Sequence, residues 1–136
     1  MPTLSVRPAV NETPENASRK FPRSSRLLKH ADFQAVYRQG RKHFSGNVIA
    51  FYRDSGRSSG PRVGFTVGKV LGGAVERNRI RRRMRSAVRR HLSDLLKPLD
   101  LVLHPRKSVL TLKFAQLDAE IAAVFAAVQR GKQKTR

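Results

Sequence analysis

The chain has 136 residues, enough for one domain with a hydrophobic core, and its 29 Lys and Arg against 9 Asp and Glu give a net charge of +20. Such an excess usually accompanies a polyanionic partner, and it favours a nucleic acid over an anionic membrane. The absence of cysteine excludes disulfides, thiolate metal sites and a cysteine nucleophile.

The ends of the chain differ in composition from its middle. Residues 1–20 contain three prolines and no apolar periodicity, so we predict a disordered arm there. Residues 129–136 are polar and basic and are predicted to be a frayed tail. No secretory signal and no apolar run of the roughly 20 residues that span a bilayer is found, so a cytoplasmic location is expected. Residues 21–128 remain as one folded domain.

The first half of this domain predicts a helix followed by strands. Residues 29–39 place Phe33, Val36 and Tyr37 on one helical face, and Gly40 follows as a stop signal. Residues 47–53 and 62–68 are rich in β-forming residues and are predicted as two antiparallel strands, separated by a loop at 54–61. Residues 41–45 are predicted as a shorter third strand.

The second half predicts two helices around one strand. After Gly72 and Gly73, apolar residues recur on one helical face: Ile80, Met84, Ala87, Val88, Leu92 and Leu95. Residues 99–104 are typical of a buried strand, and residues 114–130 of an amphipathic helix. The predicted fold class is α+β, a single-domain α-β sandwich in the order α-β-β-β-α-β-α.

Eight arginines lie among residues 77–90. At 100° per residue, seven of them cover half of the predicted helix, and Arg77 alone falls on its apolar side. Arg81, Arg85 and Arg89 follow one another at i+4 steps without an acid between them, and such like-charge pairs destabilise an isolated helix. We therefore expect the counter-charge to come from outside. Arginine is suited to bidentate phosphate binding and to stacking on bases.

RNA suits this helix better than DNA does. Asn78 is its only amide, so it offers few of the side chains that read base edges in the major groove. A surface that follows RNA shape and phosphates needs no such code. Composition alone also fits a basic ribosomal-type RNA-binding protein or a DNA-compacting protein without a processing role.

Catalysis by the protein itself is disfavoured. A two-metal phosphodiester site needs converging carboxylates, whereas the acids after residue 20 are scattered. The four histidines show no metal-ligand spacing. The sequence does not decide whether two of them form a general acid-base pair. Phe33 and Tyr37, one helical turn apart, are read from periodicity alone as core side chains.

Residues 62–91 read RVGFTVGKVLGGAVERNRIRRRMRSAVRRH and resemble the signature of the protein subunit of bacterial ribonuclease P, with Arg77-Asn78-Arg79 at its centre. The sequences LLKHADFQAVYRQG and DLVLHPRKS are similar to that family's first helix and last strand. The resemblance covers roughly residues 21–128. It implies a left-handed crossover helix between parallel strands, against the usual rule.

The resemblance implies an RNA-binding subunit of an endoribonuclease. In this family an RNA subunit removes the 5′ leader of precursor tRNA with bound magnesium, and the protein binds that RNA and holds the leader. No catalytic residue, metal site or cofactor is expected on the protein. The residues that the resemblance assigns to the RNA subunit are Lys69, Arg77, Asn78, Arg79, Arg82 and Arg83, and those assigned to the leader are Phe33, Tyr37 and Phe51.

Two positions depart from the family pattern. Lys69 is followed by Val70 where the family often has a second lysine, so one expected phosphate contact is missing or moved. Gly73 stands where a polar residue is common. The arm of residues 1–20 lies outside the resemblance.

Overall fold

The computed structural model describes residues 21–55 and 60–130; the predicted arm and residues 131–136 of the predicted tail lie outside this part. The helices are α1 (His30–Gln39), α2 (Ala74–His91) and α3 (Phe114–Arg130). The strands are β1 (Arg41–Phe44), β2 (Val48–Asp54), β3 (Arg62–Phe65) and β4 (Leu99–Pro105). The predicted α-β-β-β-α-β-α order is confirmed.

The four strands form one mixed sheet in the order β1-β2-β4-β3. Strands β2 and β3 run in opposite directions, as predicted, but they are not neighbours, because β4 lies between them, antiparallel to β2 and parallel to β3. Every residue of β4 except His104 is buried, which is typical of a central strand. Helix α2 therefore belongs to the crossover between the parallel strands β3 and β4.

Helices α2 and α3 cover one face of the sheet and form the main core with it. Ile80, Met84 and Val88 of α2 are buried there, as the apolar spacing predicts. Helix α3 buries Leu117, Ile121, Val124, Phe125 and Val128 in the same cluster.

Helix α3 spans the range that the sequence predicts, and Gln129 anchors its last turn. Its side-chain Oε1 accepts a hydrogen bond from the backbone N–H of Leu96 at 2.6 Å, and its Nε2 donates to the carbonyl oxygen of Asp94 at 2.7 Å. No helix in the described ranges is long and apolar enough to cross a membrane.

Helix α1 lies on the opposite face of the sheet, over a smaller cluster. Leu27, Val36 and Val102 are buried in it, and Phe33, Tyr37 and Phe51 pack against it half-buried. Phe44 on β1 keeps 62 % of its surface exposed, so the helix covers only part of this face. The part of this face beside α1, toward β1, is therefore open to solvent.

An ionic cluster fixes α1 to the sheet. Arg62 on β3 binds both carboxylate oxygens of the fully buried Asp100, at 2.9 and 2.8 Å, and its third nitrogen donates to Asp32 in the first turn of α1 at 3.1 Å. The hydrogen bond with Asp100 is the largest cause of the raised pKa of Arg62. One guanidinium thus connects β3, β4 and α1.

Candidate nucleic-acid interface

The solvent side of α2 forms an arginine face, which we define as Arg79, Arg82, Arg85 and Arg89. All four are exposed, and within the described residues none makes an ion pair with a carboxylate. The buried side of α2 holds the apolar residues already described, opposite these four arginines. The face carries positive charge without internal compensation.

The residues that the sequence assigned to RNA-subunit binding fall into two groups. Lys69, Asn78, Arg79 and Arg82 are exposed, with Lys69 in the short 3-10 turn that precedes α2. The amide oxygen of Asn78 accepts a hydrogen bond from Arg81 Nη1 at 2.8 Å. These four side chains are accessible to a large polyanion.

Arg77 and Arg83 are half-buried at the margin of α2. Arg77 lies inside regular helix, on the apolar side that the helical angle predicts, so its long side chain must extend outward past the core. Arg83 donates to the carbonyl oxygen of Leu112. The Nε atoms of both arginines are buried without a hydrogen-bond partner among the described residues.

The start of α2 shows what the two departures from the family pattern do. The backbone N–H of Gly73 donates to Glu76 Oε1 at 3.0 Å, so the acid caps the helix from within its first turn. Val70 is 90 % exposed and therefore presents an apolar side chain to solvent beside the arginine face. Lys69 is the basic residue that remains in this turn.

Aromatic side chains converge beside α1 on the part of the sheet that is open to solvent. The rings of Tyr37 and Phe51 meet edge to face with centroids 5.2 Å apart, and His104 stacks at a tilt on Phe51 at 4.7 Å. The Tyr37 hydroxyl bonds His104 Nε2 at 2.8 Å and Thr66 Oγ1 at 3.0 Å. We call Phe33, Tyr37, Phe51 and His104 the aromatic cleft.

Phe33 occupies the inner end of this cleft. A Cβ atom on Gly64 of β3 would lie 2.7 Å from Phe33 Cζ, so the ring rests directly against the strand backbone. All three predicted leader-binding residues are thus on one surface and half-buried, with Phe33 nearest to β3 and Phe51 on β2. Phe33 and Tyr37, which periodicity alone predicts as core side chains, pack against the smaller core cluster but stay partly exposed.

Sequence reasoning missed His104. Its role in the cleft follows from β4, where Asp100, Val102 and His104 alternate onto the α1 side, so strand periodicity could have placed it there once the register was known. Burial lowers the pKa of His104 below its usual value, which keeps the ring neutral at physiological pH. A neutral imidazole can both stack on a base and exchange hydrogen bonds with it.

The carboxylates of the described residues do not converge on a common point. Asp32 and Asp100 bind Arg62, while Asp94 and Asp118 lie on either side of His91 at 3.4 and 2.9 Å. Within 21–55 and 60–130, no group of three or more His, Cys, Asp or Glu side chains is arranged so that it could hold a metal ion. These acids act as local structural partners.

Glu120 illustrates this structural use. Burial alone would raise its pKa, but hydrogen bonds from Ser45 and Asn47 outweigh that effect and lower it. The Asn47 backbone N–H and side-chain Nδ2 lie 2.7 and 2.8 Å from the carboxylate oxygens. The carboxylate thereby attaches the β1–β2 turn to α3.

Comparisons with known proteins agree on one family. The model of the family described as Ribonuclease P matches residues 21–129. The ribonuclease P protein component of Finegoldia magna is 36 % identical over 102 residues, covering 75 % of this chain and 88 % of the relative, and that of Acidothermus cellulolyticus is 38 % identical, covering 74 % and 84 %. The solved structure of the Staphylococcus aureus RNase P protein superposes with a TM-score of 0.68 at 27 % identity, over 76 % of this chain and 94 % of that one.

Proposed function

Because the chain belongs to the family of bacterial ribonuclease P protein components, we propose that it binds the catalytic RNA of this enzyme through α2 and the 5′ leader of precursor tRNA through the aromatic cleft. It is thereby a subunit of an endoribonuclease holoenzyme that processes tRNA. The observation that carries the proposal is the presence of two different surfaces on one small domain, an exposed arginine face and an aromatic cleft. Charge alone would explain the first surface but not the second.

The arginine face supplies affinity for the large RNA. Its guanidinium groups lack carboxylate partners in the described part of the chain, so phosphates would provide the missing counter-charge. Lys69, Arg77, Asn78 and Arg83 extend this surface toward the start and the margin of α2. Shape and phosphate recognition of this kind requires no base-specific contact.

The aromatic cleft supplies the preference for precursor over mature tRNA. Accessible aromatic rings are typical of sites for single-stranded nucleic acid, where successive bases stack on aromatic side chains. Helices α1 and α2 lie on opposite faces of the sheet, so the two RNA segments do not compete for one surface. Because the cleft would hold the leader and make no contact with mature tRNA, release of the mature tRNA would be favoured.

In this proposal the catalytic centre and its magnesium ions belong to the RNA subunit. The chain's own residues bind, neutralise and orient, and none is assigned a bond-breaking role. Such a division is compatible with carboxylates that are engaged in local contacts. The alternative of a basic ribosomal-type or DNA-compacting protein leaves the aromatic cleft without a role.

The direct test is precursor-tRNA cleavage at low magnesium with bacterial ribonuclease P RNA alone, with the protein alone, and with both. We expect cleavage at the mature 5′ end only when both are present. Cleavage by the protein alone would place the catalytic centre in this chain. A folded protein that fails to stimulate the RNA would contradict the proposal.

A double variant tests the arginine face. Arg79→Ala with Arg82→Ala should weaken binding to the RNA subunit and reduce the steepness of its salt dependence by about two phosphate contacts, a slope change of about 1.4 to 1.8. The control is Lys113→Ala with Arg130→Ala, which removes the same charge from exposed positions on and beside α3. Equal losses in both double variants would mean that net charge, not this face, determines affinity.

A further inference from the structure

The outer edge of the sheet exposes an aromatic ring beside the cleft. Phe44, on edge strand β1, pairs with Ile49, and Ile49 in turn pairs with His104. Lys42 pairs with Phe51. Because directly paired residues share a face of a sheet, Lys42 and Phe44 lie on the same face as the aromatic cleft.

A lysine ammonium group links the exposed ring to the cleft. Lys42 Nζ lies 5.4 Å from the ring centroid of Phe51 and 6.0 Å from that of Phe44, within the range of cation–π attraction for both. The surface thus continues without a break from Tyr37 and Phe51 to the sheet edge. Its outermost part combines an accessible aromatic face with a positive charge.

The charge of this edge decides which partner fits it. Strand β1 reads RKHF, and lysine or arginine on an edge strand opposes pairing with a second protein strand. A second copy of this chain would also bring a net charge of +20 to the contact. Single-stranded RNA offers what both side chains require: a base that stacks on the ring and a phosphate for the ammonium group.

We infer that Phe44 and Lys42 form an additional stacking position for one nucleotide of the single-stranded leader, beyond the nucleotides held by Tyr37, Phe51 and His104. The inference rests on the proposed function, since it extends the same site. The leader would cross the sheet from the α1 side toward β1. Its affinity contribution would therefore arise only when the leader is long enough to reach the edge.

The experiment measures the dissociation constant of the complex between holoenzyme and precursor tRNA for leaders lengthened one nucleotide at a time from the mature end. For the unmodified protein we expect affinity to rise with leader length until the edge is reached. Phe44→Ala should lose the last step, at least about fivefold in affinity, and match the unmodified protein on mature tRNA and on the shortest leaders. Phe44→Tyr, which keeps the ring, should retain the step.

Two further variants complete the design. Leu96→Ala is the matched control, because Leu96 is 82 % exposed and lies outside the aromatic cleft. Lys42→Gln should lower the salt slope for long leaders by about one phosphate contact and leave that for short leaders unchanged. Thermal unfolding should change little for Phe44→Ala, because that side chain is mostly solvent-exposed.

The possible results separate the inference from the proposed function. If the unmodified protein binds long leaders better than short ones and Phe44→Ala does so equally, the edge position is wrong and the proposed function stands. If affinity is independent of leader length for the unmodified protein, both are wrong. If Phe44→Ala changes only the association state in sedimentation, the edge belongs to a second copy and the inference is overturned.

Discussion

At the scale of single residues, Asp100 carries the greatest structural consequence. It is the buried charged side chain of the described core, and Arg62 neutralises it with two hydrogen bonds while being only 12 % exposed itself. A buried ion pair adds little net stability when compared with apolar residues, yet the loss of one partner leaves the other charge uncompensated. The cluster therefore makes the position of α1 sensitive to one carboxylate.

Asp100→Ala should lower the free energy of unfolding by about 3–5 kcal/mol, because the Arg62 guanidinium would stay mostly buried without its main partner. Asp32→Ala should cost about 1 kcal/mol or less, because that carboxylate is 26 % exposed and binds Arg62 through one oxygen. Urea unfolding of both variants measures the difference in the free energy of unfolding, provided that the dependence of this free energy on urea concentration has the same slope in both. Equal losses would show that Arg62 does not depend on Asp100.

His104 should make the free energy of unfolding depend on pH. Because its pKa is lowered in the folded protein, the unfolded chain binds more protons between the folded value and the usual value of about 6.5. The contribution is therefore complete above about pH 6.5 and is lost as pH falls through the folded pKa. Unfolding free energies measured from pH 8 to pH 5 should show this decline, and His104→Gln should flatten it. An unchanged slope in the variant would assign the decline to other groups.

At the scale of elements, the junction between α1 and β1 requires a residue without a side chain. A Cβ on Gly40 would lie 2.5 Å from the carbonyl oxygens of both Val36 and Tyr52, and both are backbone atoms that cannot move independently. The backbone N–H of Gly40 also donates to the Val36 carbonyl at 2.8 Å, which closes the last turn of α1. The chain thus turns from helix to edge strand inside a space that admits only glycine.

Gly40→Ala should destabilise the domain by about 2 kcal/mol or more, since either the helix end or β2 must shift. Gly46→Ala is the matched control, because no atom lies within 4 Å of the added methyl group. It should change the free energy of unfolding by less than about 0.5 kcal/mol. Comparable effects of the two substitutions would contradict the steric argument.

The sequence predicted the elements but not the order of the strands in the sheet, for a physical reason. Helical and strand periodicities are local properties, so the apolar faces of α2 and α3 could be read directly. The insertion of β4 between β2 and β3 is a contact between distant segments, and local patterns do not encode it. The aromatic cleft depends on that register, which is why Phe51 came from the family resemblance while His104 and Phe44 went unnoticed.

At the scale of the whole molecule, positive charge opposes the compact state. A net charge of +20 on 136 residues repels itself, and the folded state concentrates much of it on α2. Anions that bind the folded protein and not the unfolded chain stabilise it by mass action. The isolated protein should therefore be less stable than its complex with RNA.

Sulfate added at constant ionic strength should raise the thermal unfolding midpoint of the free protein more than chloride does. The double variant Arg79→Ala with Arg82→Ala should show a smaller sulfate effect than the control variant Lys113→Ala with Arg130→Ala. Circular dichroism during heating measures both. A midpoint that does not depend on sulfate would show that the arginine face binds no anion in the free protein.

The central position of β4 has a consequence for the order in which the domain can be made. As synthesis proceeds from the N-terminus, β2 and β3 both lack their neighbour β4, which ends at Pro105, and until then the β1–β2 hairpin is the only part of the sheet that can form. An isolated hairpin has marginal stability in water. A nascent chain released before Leu99 would therefore carry the complete arginine face without a sheet to support it, and would be an unfolded polycation among ribosomal RNA.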